Sequence, residues 1–197
     1  MKTSIEKLRV LITNTHPSSA YSILISIKDY TDYISICYWK NKPNGAALSR
    51  YVDDIFHLDV RRITSRWMRN NLEGSNSEEE TKYINQIKEY CISKNIEYII
   101  PTSDVEVLLL TKNREVFESN NIIIVAPSFD SALISSDKFK VLEVAEKVGF
   151  PCPKTYFLHR INDLDIAIQD LGFPLVVKWR SSYGSNQVKI VGNYSEL

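Results

Sequence analysis

The sequence predicts an α/β fold: a Rossmann-like parallel sheet over residues 1–134, then a smaller α+β unit over residues 135–197. Two observations carry that expectation. Apolar runs of four to six residues alternate with amphipathic stretches, the pattern of βαβ units whose strands are buried on both faces. Near Ser135 a new series begins, in which a helical pattern stops at Gly149, with Pro151 and Pro153 beyond it, as a capped helix should.

Composition narrows the class without naming a chemistry. The 197 residues carry 24 Lys and Arg against 24 Asp and Glu, for a formal net charge of zero. With 44% hydrophobic and 24% charged residues, the chain can bury a core without disulfide or metal staples. A neutral chain has no global field for a polyanion, so no nucleic-acid partner is expected. Cys37, Cys91 and Cys152 lack the spacing of a zinc site or disulfide framework, so reduced thiols and a cytoplasmic location are expected. No apolar run approaches the ~20 residues of a membrane span, and the run after Arg9 is too short for a signal peptide. No membrane partner is expected either.

The elements follow in order. Leu8–Thr13 reads as the first strand. Ser18–Lys28 places Ala20, Ile23, Leu24 and Ile27 on one helical face, with Ser18 or Ser19 as N-cap. Tyr33–Trp39 and Asp54–Leu58 read as strands two and three. Glu78, Glu79 and Glu80 open a helix to about Lys94, three acids suited to a positive helix N-terminus. Tyr98–Ile100 is a fourth strand, Asp104–Glu118 a helix and Ile122–Val125 a fifth strand. In the second unit, Ser136–Val148 puts Phe139, Leu142, Ala145 and Val148 on one face. Thr155–Leu158 then reads as strand and Ile161–Leu171 as helix. Leu175–Trp179 and Gln187–Val191 are strands around a polar loop, and Ser195–Leu197 looks like a helix start.

Residues with chemical potential concentrate in that hairpin. Ser181, Ser182, Tyr183, Gly184, Ser185 and Asn186 form a small polar tip whose backbone N–H groups can approach anionic oxygens. Lys178 adds a point charge suited to phosphate. Taken alone, a plain polar hairpin with a surface lysine accounts for these residues better. Thr13, Asn14 and His16 stand where a dinucleotide fold carries a glycine-rich turn, and the missing glycines argue against NAD. They read as a solvated loop or as the lining of a substrate pocket. Thr102, Ser103, Asp104 and Glu106 read as a helix N-cap with first-turn acids, or as contacts to an acceptor substrate at the sheet edge. Arg61, Arg62, Arg66 and Arg69 with Trp67 read as charged surface, their field cancelled by Glu78–Glu80. His57 and His159 read as packed or edge residues without partners.

The order of these segments resembles one family. Ser136-Asp137-Lys138 opens a helix, Gly149-Phe150-Pro151-Cys152-Pro153-Lys154-Thr155 closes it, and Gly172-Phe173-Pro174-Leu175-Val176-Val177-Lys178 precedes the polar loop and a Val-x-Ile-Val strand. This set is similar to the first lobe of the ATP-grasp superfamily. Leu8–Thr13, Ser49–Asp53 and Ile100–Asp104 look like the preceding domain of its carbamoyl-phosphate-synthase-type members. The loop departs from many members in having a single glycine, Gly184.

The resemblance implies an ATP-dependent ligase that activates a carboxylate as an acylphosphate and joins it to an amine or other nucleophile. It implies Lys138, Lys178 and Ser181–Asn186 as nucleotide contacts, and ATP and Mg²⁺ as cofactors, with the metal ligands beyond Leu197. It implies a chain that holds the preceding domain and a truncated first lobe, inactive alone, with a homodimer as a possible assembly. A non-catalytic binding module on the same fold, and a Rossmann-like transferase using a sugar nucleotide near Thr13, are the competing readings.

Overall fold

The computed structural model describes residues 8–13, 17–39, 45–61, 63, 77–160, 162–180 and 188–197. The chain divides into two compact units, Met1–Ala132 and Leu133–Leu197. The boundary expected between residues 134 and 135 falls inside the helix Phe129–Ser136.

The first unit is built on five parallel strands: β1 (Leu8–Thr13), β2 (Thr31–Trp39), β3 (Asp54–Leu58), β4 (Tyr98–Ile100) and β5 (Ile123–Ile124), in the spatial order β3-β2-β1-β4-β5. The chain moves outward from β1 through β2 to β3, then returns to place β4 on the other edge of β1. Parallel neighbours need crossover segments, supplied by α1 (Pro17–Ile27), α2 (Glu78–Ser93), α3 (Asp104–Lys112) and the short α4 (Arg114–Glu118).

Alternation along β1 and β2 feeds two cores. Val10, Ile12, Ile34, Ile36 and Tyr38 pack with Ala20 and Leu24 of α1. The opposite face carries Leu11, Thr13, Ser35, Cys37 and Trp39, all buried, with Trp39 stacked on Tyr83 of α2 at 5.3 Å between ring centroids. Strands covered on both faces explain why their sequences read as near-continuous apolar runs.

Local chemistry sets the helix ends. Ser77 and Glu80 form a reciprocal capping box at the start of α2. Glu80, one of the three first-turn acids, is fully buried and faces Lys112 at 3.4 Å. Helix α1 begins one residue before Ser18, so neither serine caps it, and the Ser18 carbonyl instead accepts a bond from Ser22 Oγ. The single helix expected over Asp104–Glu118 breaks at Asn113, whose side-chain amide donates to the Leu109 carbonyl (2.9 Å). An asparagine that bonds its own backbone competes with helix continuation.

The second unit holds the end of α5 (Phe129–Ser136), α6 (Lys138–Lys147), α7 (Asn162–Leu171) and an antiparallel pair, β6 (Leu175–Lys178) with β7 (Val188–Val191). Helix α5 is not among the expected elements. Helix α6 ends as the sequence suggests, with Gly149 at φ 76°. The strand expected at Thr155–Leu158 does not form. Among the described residues of this unit only β6 and β7 pair, and Thr155 Oγ1 donates locally to the Pro153 carbonyl. High β propensity without a ladder partner yields no strand. Among the described residues of this unit only Ala167 and Val191 are buried.

At the amino end of the sheet, Asp54 Oδ2 accepts from Tyr33 and Tyr90 hydroxyls at 3.1 Å each and from Lys94 Nζ at 2.8 Å. The Lys94 contact, the largest influence, holds the Asp54 carboxyl below the usual carboxylate range, against the opposing effect of burial. A depressed folded-state pKa contributes stability that is complete above the ordinary carboxylate value of about 4 and is lost as pH falls through the folded value. The thermal midpoint should therefore drop on acidification below that point, and Asp54→Asn should flatten this part of the profile; differential scanning measurements across that range check it.

Candidate functional site

In the second unit the start of α6 is tied to the end of β6. Asp137 caps α6, its Oδ1 accepting from the Phe139 and Lys140 amides at 3.0 and 3.3 Å. The same carboxylate takes a forked contact from Arg180, with Nε at 2.8 and 2.7 Å from its two oxygens and Nη2 at 2.7 Å. A planar guanidinium matches a carboxylate in this way, and a lysine would not. Arg180 also lies over the Phe157 ring at 4.4 Å, and its carbonyl accepts from the Lys138 amide at 3.1 Å.

These contacts bring Lys138 and Lys178 to one cavity of about 670 Å³, which also receives Lys154 and Arg180 among apolar residues such as Leu142, Leu164 and Leu175. Two of the four cations are already neutralised: Arg180 by Asp137 and Lys154 by Asp170 at 2.5 Å. Lys178 is exposed, with no carboxylate within ion-pair distance among the described residues. Ser181, Ser182, Tyr183, Gly184, Ser185 and Asn186 lie outside the described residues.

In the first unit the carboxyl ends of β1 and β4 meet where strand order reverses, the place where open α/β sheets form a crevice. Thr13, fully buried, accepts the Thr102 amide on Oγ1 at 3.1 Å. Glu106 Oε2 accepts from the Thr102 amide and hydroxyl, both at 3.3 Å, and from Ser103 Oγ at 3.1 Å. Ser103 caps α3 by accepting the Glu106 amide. Thr13, Thr102 and Glu106 are thus brought together, and Glu106, 1% exposed, binds the loop rather than facing solvent. Asp104 is exposed on the first turn of α3. Asn14 and His16 lie outside the described residues, as do Arg62, Arg66, Arg69 and Trp67.

The two histidines read as packed or edge residues both pack against rings, and one of them gains a hydrogen-bond partner. His57 has a partner, the Tyr38 hydroxyl at 3.3 Å, and packs edge-on to that ring. His159 packs edge-on to Phe157 at 4.3 Å. Asp137 and Arg180, 43 residues apart, form the clamp that sequence spacing did not signal; the only hint was an aspartate at the N-cap position. Cys37 and Cys91 are buried reduced thiols, Cys37 raised by burial and then by Glu106, and Cys91 pushed up to about 12 by burial.

Two of three comparisons with known proteins find similar proteins. No protein-family profile matches the chain. The biotin carboxylase domain of Hydrogenobacter thermophilus 2-oxoglutarate carboxylase, solved as a dimer with MgADP, ADP and bicarbonate, superposes with a TM-score of 0.64 at 16% identity, over 97% of this chain and 39% of that one. N5-carboxyaminoimidazole synthetase from Staphylococcus aureus, complexed with ADP, gives 0.63 at 14% identity, over 97% of this chain and 43% of that one. The chain therefore shares the fold of the parts of these two enzymes that it covers. The sequence is similar to carbamoyl-phosphate synthase: that of Methanobrevibacter smithii is 24% identical over 113 residues, which span 56% of this chain and 30% of the relative. The chain thus covers less than half the length of each of these proteins.

The clamp carries its own test. Burial, the largest influence, pushes the Asp137 carboxyl up, but hydrogen bonds from Arg180 and from the Lys140 and Phe139 amides outweigh it and hold it below its ordinary range. Arg180→Gln should raise the Asp137 pKa toward the ordinary carboxylate value and speed hydrogen exchange at the Phe139 and Lys140 amides. An NMR titration with exchange measurements reads both.

Proposed function

We propose that residues 1–134 are the preceding domain and residues 135–197 the first lobe of an ATP-grasp domain, working in an ATP-dependent ligase that joins a carboxylate to an amine or other nucleophile. The observation that carries this reading is the placement of Lys138 and Lys178 on one cavity, at the ends of the helix and strand where the family resemblance expects phosphate contacts.

ATP, when bound, supplies the phosphoryl group that converts a poorly leaving carboxylate oxygen into an acylphosphate, which the nucleophile then displaces. The chain's own part is electrostatic. Lys178 offers a charge with no competing carboxylate among the described residues, and Lys138 is held close to β6 by its backbone bond to Arg180. Cations placed at transferring phosphates offset the charge repulsion that slows the reaction. Apolar walls around them lower the local dielectric and strengthen each contact.

Among the described residues no group of three His, Cys, Asp or Glu is arranged to hold a metal ion. The exposed apolar side chains of the hairpin, including Val176 at 62%, Trp179 at 67% and Ile190 at 70%, support a lobe that packs against further structure, because two short strands make a marginal sheet by themselves. The crevice beside Thr102 and the exposed Asp104, whose loop the buried Thr13 and Glu106 hold in place, is assigned to the acceptor substrate, and the proposed partners are ATP, a small carboxylic acid and an amine.

Calorimetric titration with ATP and Mg²⁺ tests the reading. Lys178→Ala should weaken binding by about tenfold or more, since a charge-assisted contact contributes roughly 1.5–3 kcal/mol. Lys138→Ala should act in the same direction. Unchanged affinity in both variants would remove the site, and nucleotide protection at Thr13 instead would favour the transferase reading.

A further inference from the structure

We propose that Arg180 is a positioning residue: it sets nucleotide affinity by holding Lys138 and Lys178 in one frame, without itself pairing with the nucleotide. The inference rests on the reading of those two lysines as phosphate contacts.

The start of α6 has no amide to offer an anion. The Asp137 N–H donates to the Ile134 carbonyl and the Lys138 N–H to the Arg180 carbonyl, both at 3.1 Å. Those of Phe139 and Lys140 donate to Asp137 Oδ1 at 3.0 and 3.3 Å. The four donors that a helix N-terminus can turn toward a phosphate are therefore engaged within the chain. A phosphate at this end of α6 is met by the Lys138 ammonium instead, and the place that side chain reaches depends on where its backbone is anchored.

Arg180 supplies the anchor twice. Its carbonyl holds Lys138, and its guanidinium holds Asp137, the residue before it. The guanidinium is itself fixed in two directions. Asp137 grips its edge, while its central carbon lies 4.4 Å from the Phe157 ring centroid and 5.8 Å from that of Phe139. An arginine paired along its edge and stacked on its face keeps little rotational freedom. Its charge is balanced by Asp137 at 2.7 Å, so its contribution to the cavity is geometric. Lys178 ends β6 two residues before it. One residue thus ties the helix-borne and the strand-borne lysine together, and cations held in place before binding give higher affinity than cations that must be ordered on binding.

Calorimetric titration of the 197-residue chain with ATP and Mg²⁺ tests this. Arg180→Gln should weaken binding about fivefold, and Arg180→Lys should not restore it, because lysine keeps the charge and loses the fork. Lys138→Ala, which costs about tenfold in the unsubstituted chain, should cost less than about threefold in the Arg180→Gln chain, since residues acting as one unit are not additive. Asp137→Asn keeps a helix cap and loses the ion pair; it should reproduce the Arg180→Gln loss, and it serves if the Arg180 variants do not fold. Unchanged affinity in Arg180→Gln, recovery in Arg180→Lys, or an equal Lys138→Ala loss in both backgrounds overturns the proposal and leaves the nucleotide site standing. If neither Lys138→Ala nor Lys178→Ala changes affinity, the nucleotide reading itself fails and the proposal falls with it.

Discussion

Strand β1 is hydrogen-bonded on both edges, to β2 from Leu8 to Thr13 and to β4 from Val10 to Ile12. Everything in the first unit depends on that double pairing. It pairs the middle of the central strand on both edges, and it commits Val10 and Ile12 to one core and Leu11 and Thr13 to the other. A slip of one residue would exchange the two sets. The same pairing puts the carboxyl ends of β1 and β4 side by side, so Thr13 Oγ1 meets the Thr102 amide and Glu106 can gather the loop. The crevice follows from strand order.

The second unit rests on other physics. Its described residues bury little, and its order comes from specific polar contacts. One carboxylate, Asp137, satisfies the first amides of α6 and receives the Arg180 fork, and Arg180 in turn covers the Phe157 ring. A half-exposed ion pair of this kind contributes little by itself. Here it joins a helix cap, a ring stack and a backbone bond, and the four together set the separation of Lys138 and Lys178. Charge placement in this unit is therefore a question of geometry around Arg180, whereas in the first unit it is a question of sheet topology.

Much of this was legible beforehand where a residue answers to its neighbours in sequence. The limits of β1, β3 and β4 were, because apolar runs of buried parallel strands leave a dense local signal, and so was the end of α6 at Gly149. The capping role of Ser103 was one of two readings. The errors share a cause. Glu80 reads as one of three first-turn acids, which it is, but its burial beside Lys112, 32 residues away, has no local signal. Thr155–Leu158 has the composition of a strand, but a strand needs a partner, and composition does not supply one.

By itself the sequence determined the βαβ order, the cap at Ser103, the helix stop at Gly149 and the succession of motifs that resembles an ATP-grasp lobe, because each is written in residues a few positions apart. Tertiary structure alone decided that Arg180 clamps Asp137, that Glu106 turns inward to bind the Thr102 loop, and that Tyr83 is buried in a stack on Trp39. Those contacts join residues far apart in the chain, and their strength depends on burial and direction, which a linear pattern does not contain.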